Sequence, residues 1–176
     1  MTAPHRFARP VRSGALALFL TAALPVSGAF AATRTAATPK FLSVNGDSVT
    51  LTLVAAYNNN AAGFNFDGDG NGKLVVSVPA GYRVNVVFSN KSATPHSALF
   101  TQFSKHTSTG TFPLAFKGAS SPNAISGVTA GKTQKFAFAA SKPGAYALVC
   151  AVPGHAVAGM WDTFKVTQGG KPSIKL

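Results

Sequence analysis

Apolar and polar residues alternate with a period of two along most of the chain from Phe41 onward. Successive side chains of a strand point to opposite faces of a sheet, so this alternation predicts half-buried β-strands. Gly, Pro and Asn separate the runs, and no long segment has a helical repeat. The pattern predicts an all-β sandwich or barrel. The runs lie at residues 49–53, 74–78, 84–88, 135–138, 146–150 and 161–166.

Two segments interrupt this alternation. Residues 105–127 are rich in Ser, Thr, Gly and Pro, which predicts an irregular excursion with a short helix or strand at 114–116. Residues 67–72 read Asp-Gly-Asp-Gly-Asn-Gly and resemble the start of a calcium loop. The acidic residue at position 12 of such a loop is missing. We therefore interpret this segment as a Gly-rich turn, with calcium binding as a minor alternative.

The N-terminus has the features of a secretory signal peptide. Arg6, Arg9 and Arg12 precede an apolar stretch at 15–24, and Ala29-Phe30-Ala31 offers a cleavage site. An uncleaved anchor is the less favoured alternative, because Pro25 interrupts a stretch that only just reaches spanning length. The predicted organisation is a signal peptide at 1–31, a linker at 32–40, a single domain at 41–168 and a C-terminal tail at 169–176.

Composition excludes several classes of function. The chain has four Asp and no Glu, so hydrolases that use paired carboxylates are poorly supported. The formal net charge is +12, but the basic residues are dispersed singly, which argues against nucleic-acid binding. The single cysteine cannot form an intramolecular disulfide. A lone thiol in an exported protein is explained if a metal holds it as a thiolate.

The candidate chemistry lies in the segment Cys150-Ala-Val-Pro-Gly-His155-Ala-Val-Ala-Gly-Met160. A thiolate, an imidazole and a thioether recur there at intervals of five on a predicted strand-loop-strand. With a second histidine they make the trigonal His₂Cys site with a weak axial Met that is typical of blue copper. Structural zinc usually takes more cysteines, and a binuclear copper centre needs a second bridging cysteine.

His96, which follows Pro95, is the preferred second histidine. His106 is the less favoured alternative, because it lies in the polar excursion. Ser97 is a candidate for supporting the site, since a hydroxyl beside the first histidine can bond the ligand loop and fix the thiolate. The alternative for Ser97 is a solvent-facing strand serine.

These residues resemble the cupredoxins, and the Cys-x₄-His-x₄-Met spacing resembles the sulfocyanin and rusticyanin group. The segment 71–90 followed by Pro95-His96, and Val152-Pro-Gly-His155 with Gly159-Met160, are similar to sulfocyanin in particular. The resemblance covers about residues 41–168. It implies a Greek-key β-sandwich that binds one type 1 copper ion and serves as a one-electron carrier. The ligands that it implies are His96, Cys150, His155 and Met160.

The leading functional prediction is an exported, monomeric electron carrier, soluble or loosely membrane-associated, in the periplasm or another extracytoplasmic compartment. A cytochrome or a terminal oxidase is the expected redox partner. An apolar patch of Ala156, Val157 and Ala158 beside an exposed His155 would support weak, transient docking. The alternative is copper storage or delivery. An enzyme such as a copper oxidase or nitrite reductase needs more histidines than the mature chain has.

Overall fold

The computed structural model describes residues 41–176, so the predicted signal peptide and linker lie outside the described residues. Nine strands form two mixed sheets that pack as a Greek-key β-sandwich, as predicted. Within residues 41–176, no helix is long and apolar enough to cross a membrane. The strands are β1 Leu42–Asn45, β2 Ser48–Ala55, β3 Val75–Pro79, β4 Arg83–Asn90, β5 Leu99–Gln102, β6 Thr133–Ala139, β7 Gly144–Val149, β8 Trp161–Thr167 and β9 Ser173–Lys175.

The first sheet has the order β1-β2-β4-β6 and the second has the order β5-β7-β8-β3-β9. Strands β2 and β4 run parallel, as do β3 and β8, and the other neighbours are antiparallel. Alternate side chains of the longer strands enter the space between the sheets, as in β4 and β8, where every second residue is buried. Phe100 lies at the centre of this core, with ring centroids 4.8 Å from Phe138 and 4.9 Å from Phe164.

A second, smaller apolar cluster lies on the outer face of the second sheet. Leu99, Ala147 and Val149 form it together with Ala151 and Ala156 of the loop after β7. Phe112 and Ala124 of the irregular excursion cover this cluster, together with Phe103 just before it. The excursion therefore packs against the same loop that carries the candidate ligands.

The prediction of a short helix or strand at residues 114–116 was wrong. The segment is irregular, and it is attached by the Ala115 N–H, which donates to the Phe100 carbonyl at 2.8 Å. The Thr101 hydroxyl donates to the Pro113 carbonyl at 2.8 Å. Phe116 then enters the core and stacks on Phe138 at 5.4 Å. Two hydrogen bonds and one inserted ring, rather than a repeating strand pattern, fix this segment.

Two of the four aspartates are buried inside the sandwich. Asp67 is 3% exposed and Asp162 is 0% exposed. One oxygen of each accepts a backbone N–H, from Val54 at 2.7 Å and from Leu74 at 3.1 Å, while the other oxygen is buried without a partner. Loss of hydration raises the pKa of both carboxyls to about 8, so both are mainly protonated at neutral pH.

Candidate metal centre

Three of the predicted donors meet at one end of the sandwich. The Cys150 Sγ lies 3.3 Å from the His155 Nδ1 and 3.9 Å from the His96 Nδ1, and the two imidazole nitrogens are 3.2 Å apart. Cys150 is 0%, His96 2% and His155 8% exposed. Within residues 41–176, these residues form the only group of three or more His, Cys, Asp or Glu donors close enough to hold one ion.

The loop from Cys150 to Met160 is closed by its own backbone. The Cys150 N–H donates to the Met160 carbonyl at 3.0 Å, and the Met160 N–H donates to the His155 carbonyl at 2.9 Å. Cys150 directly follows β7 and Trp161 begins β8, so two paired strands hold both ends of the loop. Met160 is 0% exposed. The three candidate donors of the loop are therefore linked by main-chain hydrogen bonds.

His96 reaches the site from the first sheet, beyond the end of β4. Asn90, the last residue of β4, donates from its side-chain amide to the carbonyls of Thr94 and Val128, both at 2.8 Å. His96 itself exchanges backbone hydrogen bonds with Val128, at 3.2 and 2.6 Å. Asn90 was not singled out in the sequence, because asparagine is common wherever a strand gives way to a turn.

Ser97 lies where the sequence analysis expected a supporting residue. Its N–H donates to the Cys150 Sγ at 3.3 Å, and its hydroxyl oxygen lies 3.7 Å from the same sulfur. The Ala151 N–H donates to that hydroxyl oxygen at 2.9 Å. Ser97 is 0% exposed, so it is not a solvent-facing serine.

Phe64 was not singled out in the sequence. Its ring is partly buried and meets His155 edge-on at 4.9 Å and His96 at 6.1 Å. His106 is not among the clustered donors; its ring packs on Trp161 at 4.0 Å and its Nδ1 bonds the Phe103 carbonyl at 2.7 Å. His106 therefore does not contribute to the donor cluster.

Burial shifts the titration of the cluster in a direction that suits metal binding. Desolvation, reinforced by His155, lowers the pKa of His96 to about 4, and desolvation also lowers the pKa of His155. Both imidazoles are thus neutral at neutral pH, with lone pairs free to bind a metal. Desolvation raises the pKa of Cys150, although hydrogen bonds from Ser97 oppose the shift. Binding of a cation at this site would displace the thiol proton.

Comparison with known proteins shows which family the chain belongs to. Residues 35–170 match the family model described as the sulfocyanin (SoxE) domain. The chain belongs to the sulfocyanin family. The sulfocyanin of Sulfolobus acidocaldarius is 33% identical over 126 residues, which are 68% of this chain and 63% of that protein. This chain therefore matches less than two thirds of its curated sulfocyanin relative.

Two solved structures of similar proteins are auracyanins. Auracyanin A, a "blue" copper protein from Chloroflexus aurantiacus, is 21% identical with a TM-score of 0.46, covering 68% of this chain and 99% of its own. The reduced auracyanin of Roseiflexus castenholzii is 22% identical with a TM-score of 0.48, covering 67% and 96%.

Sulfocyanins are cupredoxins, a class that binds one type 1 copper ion. The residues present fit that ion. Two neutral imidazole nitrogens and one thiol sulfur converge within 4 Å in a buried site, and these are the nitrogen and soft sulfur donors that copper prefers. The Asp67 carboxyl accepts a hydrogen bond from the Val54 N–H of β2 and lies in a Gly-rich turn. This agrees with the interpretation of residues 67–72 as a turn.

Ser97→Ala should weaken both the fold and the thiolate environment. The buried Ala151 N–H would lose its acceptor, which costs about 1–2 kcal/mol. The thiolate would lose the nearby hydroxyl and keep the main-chain donor, so the protein should stay blue but show a lower reduction potential. Chemical unfolding and voltammetry check these two effects. Ser126→Ala at an exposed serine is the control, and an equal effect of both variants would contradict a role for Ser97.

Proposed function

We propose that this chain is an exported one-electron carrier in which His96, Cys150, His155 and Met160 hold one type 1 copper ion. The observation that supports this most is the convergence of three buried donors, of which Cys150 and His155 lie on a loop closed by its own hydrogen bonds. When bound, copper supplies the Cu(II)/Cu(I) couple. The protein holds the donors in one arrangement, so little rearrangement accompanies arrival of the electron.

Burial of the donors favours an electron carrier over a delivery protein. A delivery site must open to exchange its ion, whereas Cys150 and His96 are almost fully covered and Phe64 packs on both histidines. Electrons can still enter and leave across the loop surface near His155 without exposing the ion. We therefore expect copper to stay bound in both oxidation states.

The redox partner docks at the ligand loop. The expected patch must be corrected, since Ala156 is 2% exposed and packs in the smaller cluster, and His155 is also buried. Val157 at 54% and Ile125 at 52% are exposed, together with Pro153 and Ala158.

Every Lys and Arg of residues 41–176 is exposed, which supports a partner with acidic residues around its docking site, such as a cytochrome or terminal oxidase. The carrier works as a monomer outside the cytoplasm and does not bind nucleic acid.

The test is reversible one-electron reduction of the copper-loaded protein, followed by voltammetry and by its visible spectrum. A carrier should cycle repeatedly without losing copper to a Cu(I) chelator. Release of copper to the chelator on each reduction would instead identify a delivery protein. Absence of a reversible couple would refute the proposed function.

Met160→Leu should keep copper but raise the reduction potential. The thioether donates weakly to Cu(II), so its loss destabilises the oxidised state more than the reduced one. The exchange conserves volume, and the fold should be kept at a cost below about 1.5 kcal/mol. Protein-film voltammetry measures the shift, with Leu51→Met elsewhere in the core as the control. An unchanged or lowered potential would mean that Met160 is not the axial ligand.

A further inference from the structure

The backbone on both sides of Met160 is bonded to a distant part of the chain. The Gly159 carbonyl accepts the Asn71 N–H at 2.9 Å, and the Trp161 carbonyl accepts the Gly72 N–H at 2.9 Å. Met160's own N–H and carbonyl are already used within the ligand loop. Asn71 and Gly72 therefore supply a second pair of hydrogen bonds that fixes this stretch of main chain.

The sequence of residues 70–72 allows their backbone to approach the ligand loop closely. A Cβ on Gly70 would lie 2.8 Å from the Gly159 carbonyl oxygen, so only glycine allows the two backbones to touch. Asn71 and Gly72 both have left-handed backbone conformations, with φ of 57° and 79°. Gly72 also lies beneath the Trp161 ring, where a Cβ would approach within 2.6 Å. The Asp-Gly-Asn-Gly sequence, interpreted above only as a turn, thus contacts the ligand loop directly.

The same turn is attached to the opposite sheet. The Asp67 N–H donates to the Val54 carbonyl of β2 at 2.9 Å, and the Val54 N–H donates to the Asp67 Oδ1 at 2.7 Å. Phe66 and Asp69 exchange backbone hydrogen bonds at 2.8 and 2.9 Å, which close the turn. Met160 precedes β8 of the second sheet, whereas His96 follows β4 of the first. The 66–72 segment therefore links the Met160 backbone to the sheet that carries His96.

We propose that residues 70–72 are a positioning element for the Met160 thioether and set how strongly its sulfur interacts with copper. This inference rests on the proposed function, in which Met160 is the axial ligand. The strength of the axial interaction tunes the potential of such a site. Outer contacts that orient a ligand tune the metal in the same way.

The test is Gly70→Ala in the full, copper-loaded chain. Its methyl group forces the 70–72 segment and Gly159 apart, which should loosen the thioether and shift the potential upward, in the direction of Met160→Leu. The same substitution in a Met160→Leu background should cause no further shift, because the sulfur is gone. Gly169→Ala, at a glycine with no atom within 4 Å of the added methyl, is the matched control and should leave the potential unchanged.

An unchanged potential in Gly70→Ala, or an equal shift with and without Met160, would overturn the proposal while leaving the electron carrier intact. Absence of the blue absorption from the copper-loaded wild-type protein would instead count against the proposed function.

A second measurement needs no variant and no metal. Amide exchange at Asn71 and Gly72 in the metal-free protein should be at least about tenfold slower than at exposed Gly169. Equal exchange rates would overturn the proposal even if Gly70→Ala did not fold.

Discussion

Cys150→Ser should abolish the intense visible absorption of the copper-loaded protein. The colour of a type 1 site comes from charge transfer between a thiolate and Cu(II), and the chain has no other cysteine. A serine oxygen is a harder, weaker donor, and it stays protonated in this buried site. The loss of colour should be complete, which makes this the largest expected effect of any single substitution.

The variant should remain folded. A serine oxygen can still accept the Ser97 N–H that now bonds the sulfur, and the main-chain bond from residue 150 to Met160 does not involve the side chain. Circular dichroism of the metal-free variant checks the fold, while absorption and copper content check the site. A folded Cys150→Ser protein that stayed blue would refute the proposed ligand set.

Asp67→Asn should change how stability depends on pH. The carboxyl has a folded-state pKa of about 8, above its ordinary value of 3.8, because folding removes it from water. A raised pKa means that folding favours the protonated form. This contribution is fully present below pH 3.8 and is lost as pH rises to about 8. The wild-type protein therefore gains stability from this group in acid.

Asparagine keeps the acceptor for Val54, tolerates the left-handed backbone at this position and cannot ionise. The free energy of unfolding of the Asp67→Asn variant should match that of the wild type near pH 4 and exceed it by about 3–5 kcal/mol near pH 8. In the metal-free protein, the lowered pKa values of His96 and His155 make the free energy of unfolding fall as the pH falls, which opposes the effect of Asp67. The informative quantity is therefore the difference in unfolding free energy between variant and wild type at each pH. Chemical unfolding at several pH values measures it, with exposed Asp47→Asn as the control. A difference that does not vary with pH would contradict the buried, protonated carboxyl.

Sequence patterns predicted the sandwich and the candidate donors because both depend on local regularities. Alternation identified β2, β4, β7 and β8, and the fixed intervals from Cys150 to Met160 placed three donors on one loop. The short strands β1, β5 and β9 escaped prediction, since three or four residues carry too little alternation to distinguish them from loop. Strand β9 lies within the stretch expected to be a tail and pairs with β3.

The sequence was less informative about what surrounds the donors. Phe64, Asn90 and residues 70–72 act through contacts between segments far apart in the chain, and no local spacing marks them. The burial of Asp67 and Ala156 likewise depends on which segment packs above them. Local pattern thus predicted the donors, while the parts that hold them required tertiary structure.

The loop between Cys150 and Met160 has one more consequence. Because its hydrogen bonds join Cys150 to Met160 and Met160 to His155, most of the donor set is encoded by one short, internally closed piece of chain. The rest of the described chain supplies His96 and the contacts from Ser97 and residues 71–72 that hold the loop. A change of length between Cys150 and Met160 would therefore move several donors at once. A change elsewhere would reach those donors only through the few contacts that hold the loop.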